Sequence, residues 1–166
     1  STNQKQLTYS EVWSVLTYSD EDPNNSSNVI EIYSGKSIAK FANGSGTQAS
    51  DPDAWNREHI WAKSHGFPDK SQLAHTDAHH LRPADISINS TRSNFDFAEG
   101  GIALAEAPEN RYDETLRTWE PRDAVKGDVA RMMFYVDIRY EGAAADNTPD
   151  LTLVDHIGTQ NGTSEF

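Results

Sequence analysis

The segment between Trp55 and Phe97 differs from the rest of this 166-residue chain, because titratable and amide side chains are concentrated there. It contains three blocks, which read WNREHIW at 55–61, HTDAHHLRP at 75–83 and DISINSTRSNF at 85–95. The first block predicts a short strand, the second a strand that Pro83 ends, and the third a helix that begins near Asp85. The chain is therefore expected to fold around a strand–strand–helix unit at about residues 54–97.

The flanking sequence supplies further helices and strands. Apolar residues at helical spacing behind Ser10 predict a packing helix near residues 7–18, and the turn-rich residues 19–25 predict a loop. The segments 29–33 and 37–41 have the composition of two strands joined through Gly35, and residues 43–53 predict another loop. Together with the central unit, this mixture predicts an α+β fold with long connections.

Residues 121–141 carry the clearest helical pattern of the chain. Pro121 suits the first turn of this helix and Gly142 suits its end. The apolar positions follow a spacing of three and four residues, which predicts a buried helix; they are Val129, Met132, Met133, Val136 and Tyr140. We expect one domain over residues 1–166, with a flexible tail at about 158–166.

Composition limits the classes of protein that this chain can represent. It has no cysteine, so any metal must be held by His, Asp, Glu, Asn or water. It has no apolar run of 18 residues, which predicts that it does not span a membrane. The net charge of −12 opposes attraction to nucleic acid, although Lys63, Lys70 and Arg82 favour a local cationic groove. Such an acidic surface also suits high salt, where screening weakens the repulsion.

The central blocks contain the side chains that phosphodiester hydrolysis requires. A neutral His59 can remove a proton from water, and Glu58 with Asn89 can supply the oxygen ligands of one Mg²⁺ ion, for which Ca²⁺ or Mn²⁺ could substitute. An Arg would hold the phosphate. Strand alternation sends Glu58 and His59 to opposite faces, so the strand must bend or end there for both to serve one site.

These blocks resemble the motifs of the bacterial endonuclease I family of secreted nucleases, a branch of the ββα-metal (His-Me finger) superfamily. The resemblance is carried by residues 55–66, 77–83, 89–97 and 127–142, and it covers most of residues 10–142. It implies that His59 is the general base, that Glu58 is a metal ligand, and that Asn89, six residues after Pro83, is the helix-borne ligand. It also implies cleavage of DNA, RNA or both, usually with Mg²⁺, to leave a 5′-phosphate and a 3′-hydroxyl.

The chain departs from this family in two ways. Some relatives are basic and contain disulfides, whereas this chain is acidic and has no cysteine. Some relatives carry the phosphate-stabilising Arg in an insertion between the two strands, but residues 63–76 contain no Arg. That role therefore passes to Arg57, Arg82, Arg92 or another residue, and the sequence does not rank them.

Several of these residues have a second possible role. His75, His79 and His80 have a spacing that could bind zinc, but we favour structural roles for them, with Asp77 bracing the strand pair. Asn94 is a rival metal ligand that is more easily explained as a cap at the end of the helix. Three aromatic residues could stack on bases but are expected to pack in the core; they are Trp55, Trp61 and Phe95.

The sequence thus predicts a non-specific metal-dependent endonuclease that acts on DNA and possibly RNA. We expect it to be a secreted monomer, extracellular or periplasmic, with nucleic acid as substrate and no obligate protein partner. The alternatives are a non-catalytic metal-binding or nucleic-acid-binding module and a phosphatase of small phosphate esters.

Overall fold

The computed structural model describes residues 5–142 and 147–157, together with the backbone of residues 163–165; the side chain of Thr47 is not described. Its three α-helices are α1 (Tyr9–Ser19), α2 (Ile86–Arg92) and α3 (Asp123–Arg139). Its strands, in chain order, are β1 (Glu21–Asp22), β2 (Asn25–Ile30), β3 (Ser37–Ala39), β4 (Trp55–His59), β5 (Leu81–Asp85), β6 (Asp96–Phe97), β7 (Ile102–Leu104), β8 (Ala107–Asp113), β9 (Thr118–Glu120), β10 (Thr152–Val154) and β11 (Thr163–Glu165).

Helix α1 confirms the helix predicted near residues 7–18, but its cap is Thr8 and not Ser10. The Glu11 backbone N–H donates to the Thr8 hydroxyl at 3.2 Å, and the Thr8 backbone N–H donates to the Glu11 carboxylate at 2.7 Å. This reciprocal pair satisfies two N–H groups that a helix leaves without partners, which Ser10 inside the first turn cannot do. Val12 and Leu16 are buried beneath the helix.

The predicted strand pair near residues 29–41 is present with shifted bounds. β2 begins at Asn25 rather than at Val29, because it pairs along its length with β1 on one side and β3 on the other. The predicted loop at 19–25 was therefore wrong in part, since it contains β1. Gly35 lies in the connection with a φ of 67°, a left-handed conformation that favours glycine.

Strands β4 and β5 pair in antiparallel register and lead directly into α2, which confirms the order strand, strand, helix. The second strand is later than predicted: residues 73–80 form two 3-10 turns, and β5 contains Pro83 instead of ending there. Pro83 is tolerated because this sheet has only two strands. The missing N–H of Pro83 is on the edge of β5 that faces away from β4, so no hydrogen bond between the two strands is lost. The Asp85 carboxylate caps α2 by accepting from the Ser87 and Ile88 N–H groups at 2.8 and 3.2 Å.

Helix α3 confirms the predicted buried helix. It begins at Asp123, so Pro121 precedes it rather than occupying its first turn, and Gly142 follows its end with a φ of 65°. The predicted apolar positions are all buried; they are Val129, Met132, Met133, Val136 and Tyr140. They join a core that includes residues of the β4–β5–α2 unit and of the four-stranded sheet β6-β9-β8-β7.

The observed helices and sheets establish the α+β class. No helix within residues 5–142 or 147–157 combines the length and the apolar character that crossing a bilayer requires. The tail expected at 158–166 lies outside the described residues apart from the backbone of 163–165, where β11 pairs in parallel with β10. A single domain over residues 1–166 stays a prediction.

Candidate active site

The end of β4, the start of the following loop and α2 surround a cleft of about 540 Å³. Five of the predicted site residues line this cleft, namely Arg57, Glu58, His59, Asn89 and Arg92. Arg82 is not among its lining residues. The fold therefore brings the predicted base, both predicted metal ligands and two of the three candidate arginines into one concave site.

Strand alternation separates the side chains of β4 between two helices. On the α1 side, the Arg57 guanidinium carbon lies 3.5 Å from the centre of the Tyr9 ring, and the His59 ring lies 5.9 Å from that same ring. On the α2 side, the Asn89 amide nitrogen donates to Asn56 Oδ1 at 2.5 Å. Because β4 ends at His59, the two faces meet at the strand end in a single cleft.

The proton distribution of the His59 ring follows from its hydrogen bond. His59 is 5% exposed, and its Nε2 atom lies 2.8 Å from the backbone carbonyl oxygen of His75. A carbonyl oxygen only accepts, so neutral His59 carries its proton on Nε2 and its lone pair on Nδ1. Burial lowers the pKa of His59 well below its usual range, and His80 acts in the same direction. The ring is therefore neutral near pH 7 and able to accept a proton.

The Glu58 carboxylate is held by one hydrogen bond and one ion pair from distant parts of the chain. It is 2% exposed, the Tyr33 hydroxyl donates to its Oε1 at 2.7 Å, and Arg92 Nε lies 3.4 Å from the same oxygen. Burial raises the pKa of Glu58, while Arg92 and the Tyr33 hydrogen bond oppose this rise. A cation in the cleft would further favour the ionised carboxylate.

The donor chemistry of the cleft suits a hard divalent cation. Asn89 uses its amide nitrogen to bind Asn56, which leaves its amide oxygen as an acceptor in the cleft that Glu58 also lines. Mg²⁺ prefers oxygen ligands and keeps several waters, so one carboxylate and one amide are sufficient protein ligands. In the part of the chain that the structure describes, no group of three or more His, Cys, Asp or Glu side chains could hold a metal.

The three candidate arginines have different surroundings. Arg92 is 1% exposed and donates to the Ile60 carbonyl at 2.7 Å, in addition to its ion pair with Glu58. Arg82 lies 3.4 Å from Asp20 and donates to the Leu81 carbonyl at 2.8 Å, away from the cleft. Both guanidinium groups are thus committed to protein partners.

Arg57 combines a fixed position with access to the cleft. Its guanidinium carbon lies close to two aromatic rings, 3.5 Å from the centre of Tyr9 and 4.0 Å from that of Trp13. It also donates to the Tyr9 carbonyl oxygen. Contact with an aromatic ring through its face leaves the N–H edge of a guanidinium available for an anion. Helix α1, which the sequence indicated only as a packing helix, therefore contributes Tyr9 and Trp13 to the site.

The histidines between β4 and β5 have protein partners that explain them without zinc. His75 Nδ1 lies 3.0 Å from the Phe67 carbonyl, and His80 Nε2 lies 2.7 Å from the Ala74 carbonyl. His79 is exposed, and its Nδ1 lies 2.7 Å from Asp77. These contacts agree with the structural roles that we favoured.

Asp77 and Asn94 have partners that the sequence did not identify. Asp77 was expected to brace the strand pair, but its Oδ2 accepts from Tyr135 of α3 and from Tyr140, which caps the end of that helix, each at 2.8 Å. Asn94 was expected to cap α2, but the capping residue is Ser93. The Asn94 amide instead donates to the Ser64 hydroxyl at 3.2 Å, and its oxygen accepts from Arg117.

Four aromatic residues in or near the site differ in how well the sequence predicted them. The three aromatics assigned to packing are buried, as predicted; they are Trp55, Trp61 and Phe95. Tyr33, which binds Glu58, was missed because it is 25 residues away and resembled an ordinary strand residue. No local pattern identifies such a partner.

The chain matches a protein-family model described as Endonuclease I over residues 1–164. It is similar to a protein named extracellular ribonuclease from Bacillus subtilis (strain 168), with 52% identity over 160 residues. It is also similar to a protein of the same name from Bacillus amyloliquefaciens, with 51% identity over 160 residues. Each comparison covers 96% of this chain and 52% of the relative, so the chain spans about half the length of these curated relatives.

Proposed function

Because the chain belongs to the endonuclease I family, we propose that it is a metal-dependent endonuclease that hydrolyses phosphodiester bonds of nucleic acid with little sequence preference. The observation that supports this most directly is the cleft at the end of β4. It contains a neutral imidazole on one face of the strand, and a carboxylate with an amide oxygen on the other. These are the groups that activate water and hold a cation beside a phosphate.

In this proposal, His59 is the general base. Its Nδ1 atom accepts a proton from the attacking water, while the hydrogen bond from Nε2 to the His75 carbonyl fixes the ring. The same hydrogen bond stabilises the imidazolium that forms, because a carbonyl dipole favours a positively charged donor. Base catalysis of this kind contributes about 10²- to 10⁴-fold in rate.

Glu58 and Asn89 would hold one Mg²⁺ ion, with Ca²⁺ or Mn²⁺ as possible substitutes. When bound, the cation would neutralise charge on the phosphate and on the leaving 3′ oxygen. Tyr33 and Arg92 orient the Glu58 carboxylate through contacts of 2.7 and 3.4 Å to Oε1. Such supporting partners fix the direction of a ligand and the charge that it presents.

Arg57 is our choice for the residue that holds a non-bridging phosphate oxygen. It lines the cleft on the His59 side and is held by contacts with Tyr9 and Trp13. Arg92 is buried against Glu58, and Arg82 lies outside the cleft against Asp20. An Arg in this position stabilises the charge that develops on the phosphate.

The products would carry a 5′-phosphate and a 3′-hydroxyl. The similar proteins are named extracellular ribonucleases, which supports RNA as a substrate of this chain, with DNA as a further proposed substrate. The same names support secretion, to an extracellular or periplasmic location. We further propose that it acts as a monomer without an obligate protein partner.

The decisive experiment compares cleavage by the wild type, His59→Ala and the matched control His156→Ala, whose imidazole is exposed outside the cleft. Supercoiled plasmid and single-stranded RNA are incubated with Mg²⁺ or EDTA, at low and at high NaCl. The proposal expects Mg²⁺-dependent cleavage that His59→Ala loses and His156→Ala keeps. Binding without cleavage by the folded wild type would instead favour a nucleic-acid-binding module.

A further inference from the structure

The edge of the cleft on the α2 side is polar and carries unpaired positive charge. Lys63, Ser64, Ser93 and Asn94 all line the cleft that contains Glu58. Lys63 is exposed. Among the described residues, no carboxylate oxygen lies within 4.0 Å of its ammonium nitrogen, the limit for an ion pair. The edge therefore offers hydroxyl, amide and ammonium donors next to the proposed reaction site.

Arg117 extends this edge beyond the cleft. It lies in the connection between β8 and β9, is exposed, and donates to Asn94 Oδ1, whose amide nitrogen donates to Ser64 at 3.2 Å. Its guanidinium carbon lies 5.0 Å from the centre of the Phe95 ring. A guanidinium has five N–H donors, so the hydrogen bond to Asn94 leaves others for a ligand.

The charges of this edge contrast with cations elsewhere on the acidic surface. Arg131 pairs with Asp128, and Lys126 lies 2.6 Å from Glu120. In the described ranges, Arg117 has no carboxylate at ion-pair distance. A cation that is not neutralised by a neighbour retains its attraction for an anionic ligand.

We propose that Lys63, Asn94 and Arg117 form a subsite for a backbone phosphate of the nucleic acid that flanks the scissile bond. This flanking phosphate subsite rests on the proposed nuclease function and assigns part of the substrate's binding. Arg and Lys bind phosphate through charge-assisted hydrogen bonds, and the amide of Asn94 positions the guanidinium. Contacts with the backbone give affinity without sequence information, as a non-specific nuclease needs.

The subsite also explains how a chain with a net charge of −12 could engage a polyanion. The overall field repels nucleic acid and is screened by salt, whereas direct contacts to phosphate act at short range. On a single strand, neutralising one phosphate adds about 0.7 to the slope of log affinity against log salt. Removal of Arg117 should therefore reduce affinity and lower this slope together.

The test uses Arg117→Gln, Lys63→Gln and the double variant, with Arg131→Gln as the matched control on α3. Each is combined with His59→Ala so that a fluorescent single-stranded oligonucleotide stays intact, and its Kd is measured by anisotropy across NaCl concentrations. We expect the single variants to raise Kd by about tenfold each, the double variant to lower the salt slope by about 0.7 in total, and Arg131→Gln to change neither. Arg117→Lys should restore part of the affinity.

A second readout compares polymer with a dinucleoside monophosphate, whose one phosphate is the scissile one. With His59 intact, Arg117→Gln should reduce cleavage of the polymer far more than hydrolysis of the dinucleoside. An unchanged Kd and salt slope in the double variant, or equal losses on both substrates, would overturn the subsite. Failure of the nuclease proposal would appear differently, as a wild type that binds the oligonucleotide and cleaves neither substrate.

Discussion

The Nε2 atom of His59 lies 2.8 Å from the backbone carbonyl oxygen of His75 and donates its proton there. His75 belongs to a 3-10 turn, Leu73–Thr76, in the connection between β4 and β5. The orientation of the ring and the position of its lone pair on Nδ1 therefore depend on this connection as well as on β4. The connection between β4 and β5 is therefore part of the proposed catalytic machinery.

His59→Ala should lose at least about 10²-fold in the rate of cleavage, because it removes the proposed base. Added imidazole should restore part of this rate, since a small base can enter the space that the ring leaves. The measurement is single-turnover cleavage of RNA against imidazole concentration, with circular dichroism to verify folding. Activity at the wild-type level would exclude His59 as the base, and a folded variant that imidazole does not rescue would indicate a structural role.

Glu58→Gln and Asn89→Ala should each raise the Mg²⁺ concentration that half-maximal cleavage requires. We expect an increase of about tenfold or more, because each change weakens a metal ligand. Asn89→Ala removes the amide oxygen, whereas Glu58→Gln keeps one oxygen but removes the negative charge. The measurement is an Mg²⁺ titration of cleavage after treatment with EDTA. Glu109→Gln, an exposed carboxylate on β8, is the control that should not change the titration. Unaltered Mg²⁺ dependence in both site variants would contradict the assignment.

Arg57→Ala should reduce kcat by about 10²-fold, as expected when a group that stabilises charge on the phosphate is lost. Arg82→Ala should reduce kcat much less, because Arg82 faces Asp20 outside the cleft. Steady-state kinetics on one RNA substrate compares the two variants. A larger loss in Arg82→Ala than in Arg57→Ala would reverse our ranking.

Arg92→Ala should lower the free energy of unfolding by about 3 kcal/mol, because it leaves the buried Glu58 carboxylate without its cation. Arg92 and Glu58 are both almost completely buried, at 1% and 2% exposure, so the carboxylate loses its cation in surroundings that solvate it poorly. Urea denaturation followed by tryptophan fluorescence measures the effect. A variant as stable as the wild type would show that Arg92 does not compensate Glu58.

Tyr140→Phe and Tyr135→Phe should each lower the free energy of unfolding by about 1 kcal/mol, because each removes one hydrogen bond to the Asp77 carboxylate. Asp77→Asn should cost more, since it weakens both bonds together. Tyr18→Phe changes an exposed tyrosine and serves as the control. Equal stability of all four variants in thermal unfolding would contradict a bracing role for Asp77.

Glu31→Gln should change how stability depends on pH. Glu31 is buried, which raises the pKa of its carboxyl from 4.5 to about 7, and Asp85 acts in the same direction. The folded state thus binds this proton more tightly than the unfolded state, so the stabilisation is present below pH 4.5 and is lost as the pH rises towards 7. Relative to the wild type, Glu31→Gln should gain on the order of 2 to 3 kcal/mol between these limits.

Urea denaturation of the wild type and Glu31→Gln at pH 4.5 and at pH 7.5 measures this difference, with Glu109→Gln as an exposed control. A constant difference between Glu31→Gln and the wild type at both pH values would show that Glu31 titrates at an ordinary pKa in the folded protein.

The sequence alone determined the order of the central elements, because the signals for them are local. The helix predicted to begin near Asp85 does begin there, with Asp85 as its cap, and the apolar spacing of α3 predicted its buried face. Strand alternation also predicted that Glu58 and His59 face opposite sides, and that one site is possible only where the strand bends or ends. β4 does end at His59.

Only the tertiary structure decided the contacts that give these residues their properties. Tyr33 reaches Glu58 across 25 residues, and Arg117 reaches Asn94 across 23. The three candidate arginines differ in burial and ion pairing, which residue type and spacing do not encode. The two 3-10 turns before β5, the first of which contains His75, were not predicted either, because short polar segments have no periodicity of their own. Local patterns are set by neighbours in sequence, whereas burial and hydrogen bonding depend on segments that only the folded chain brings together.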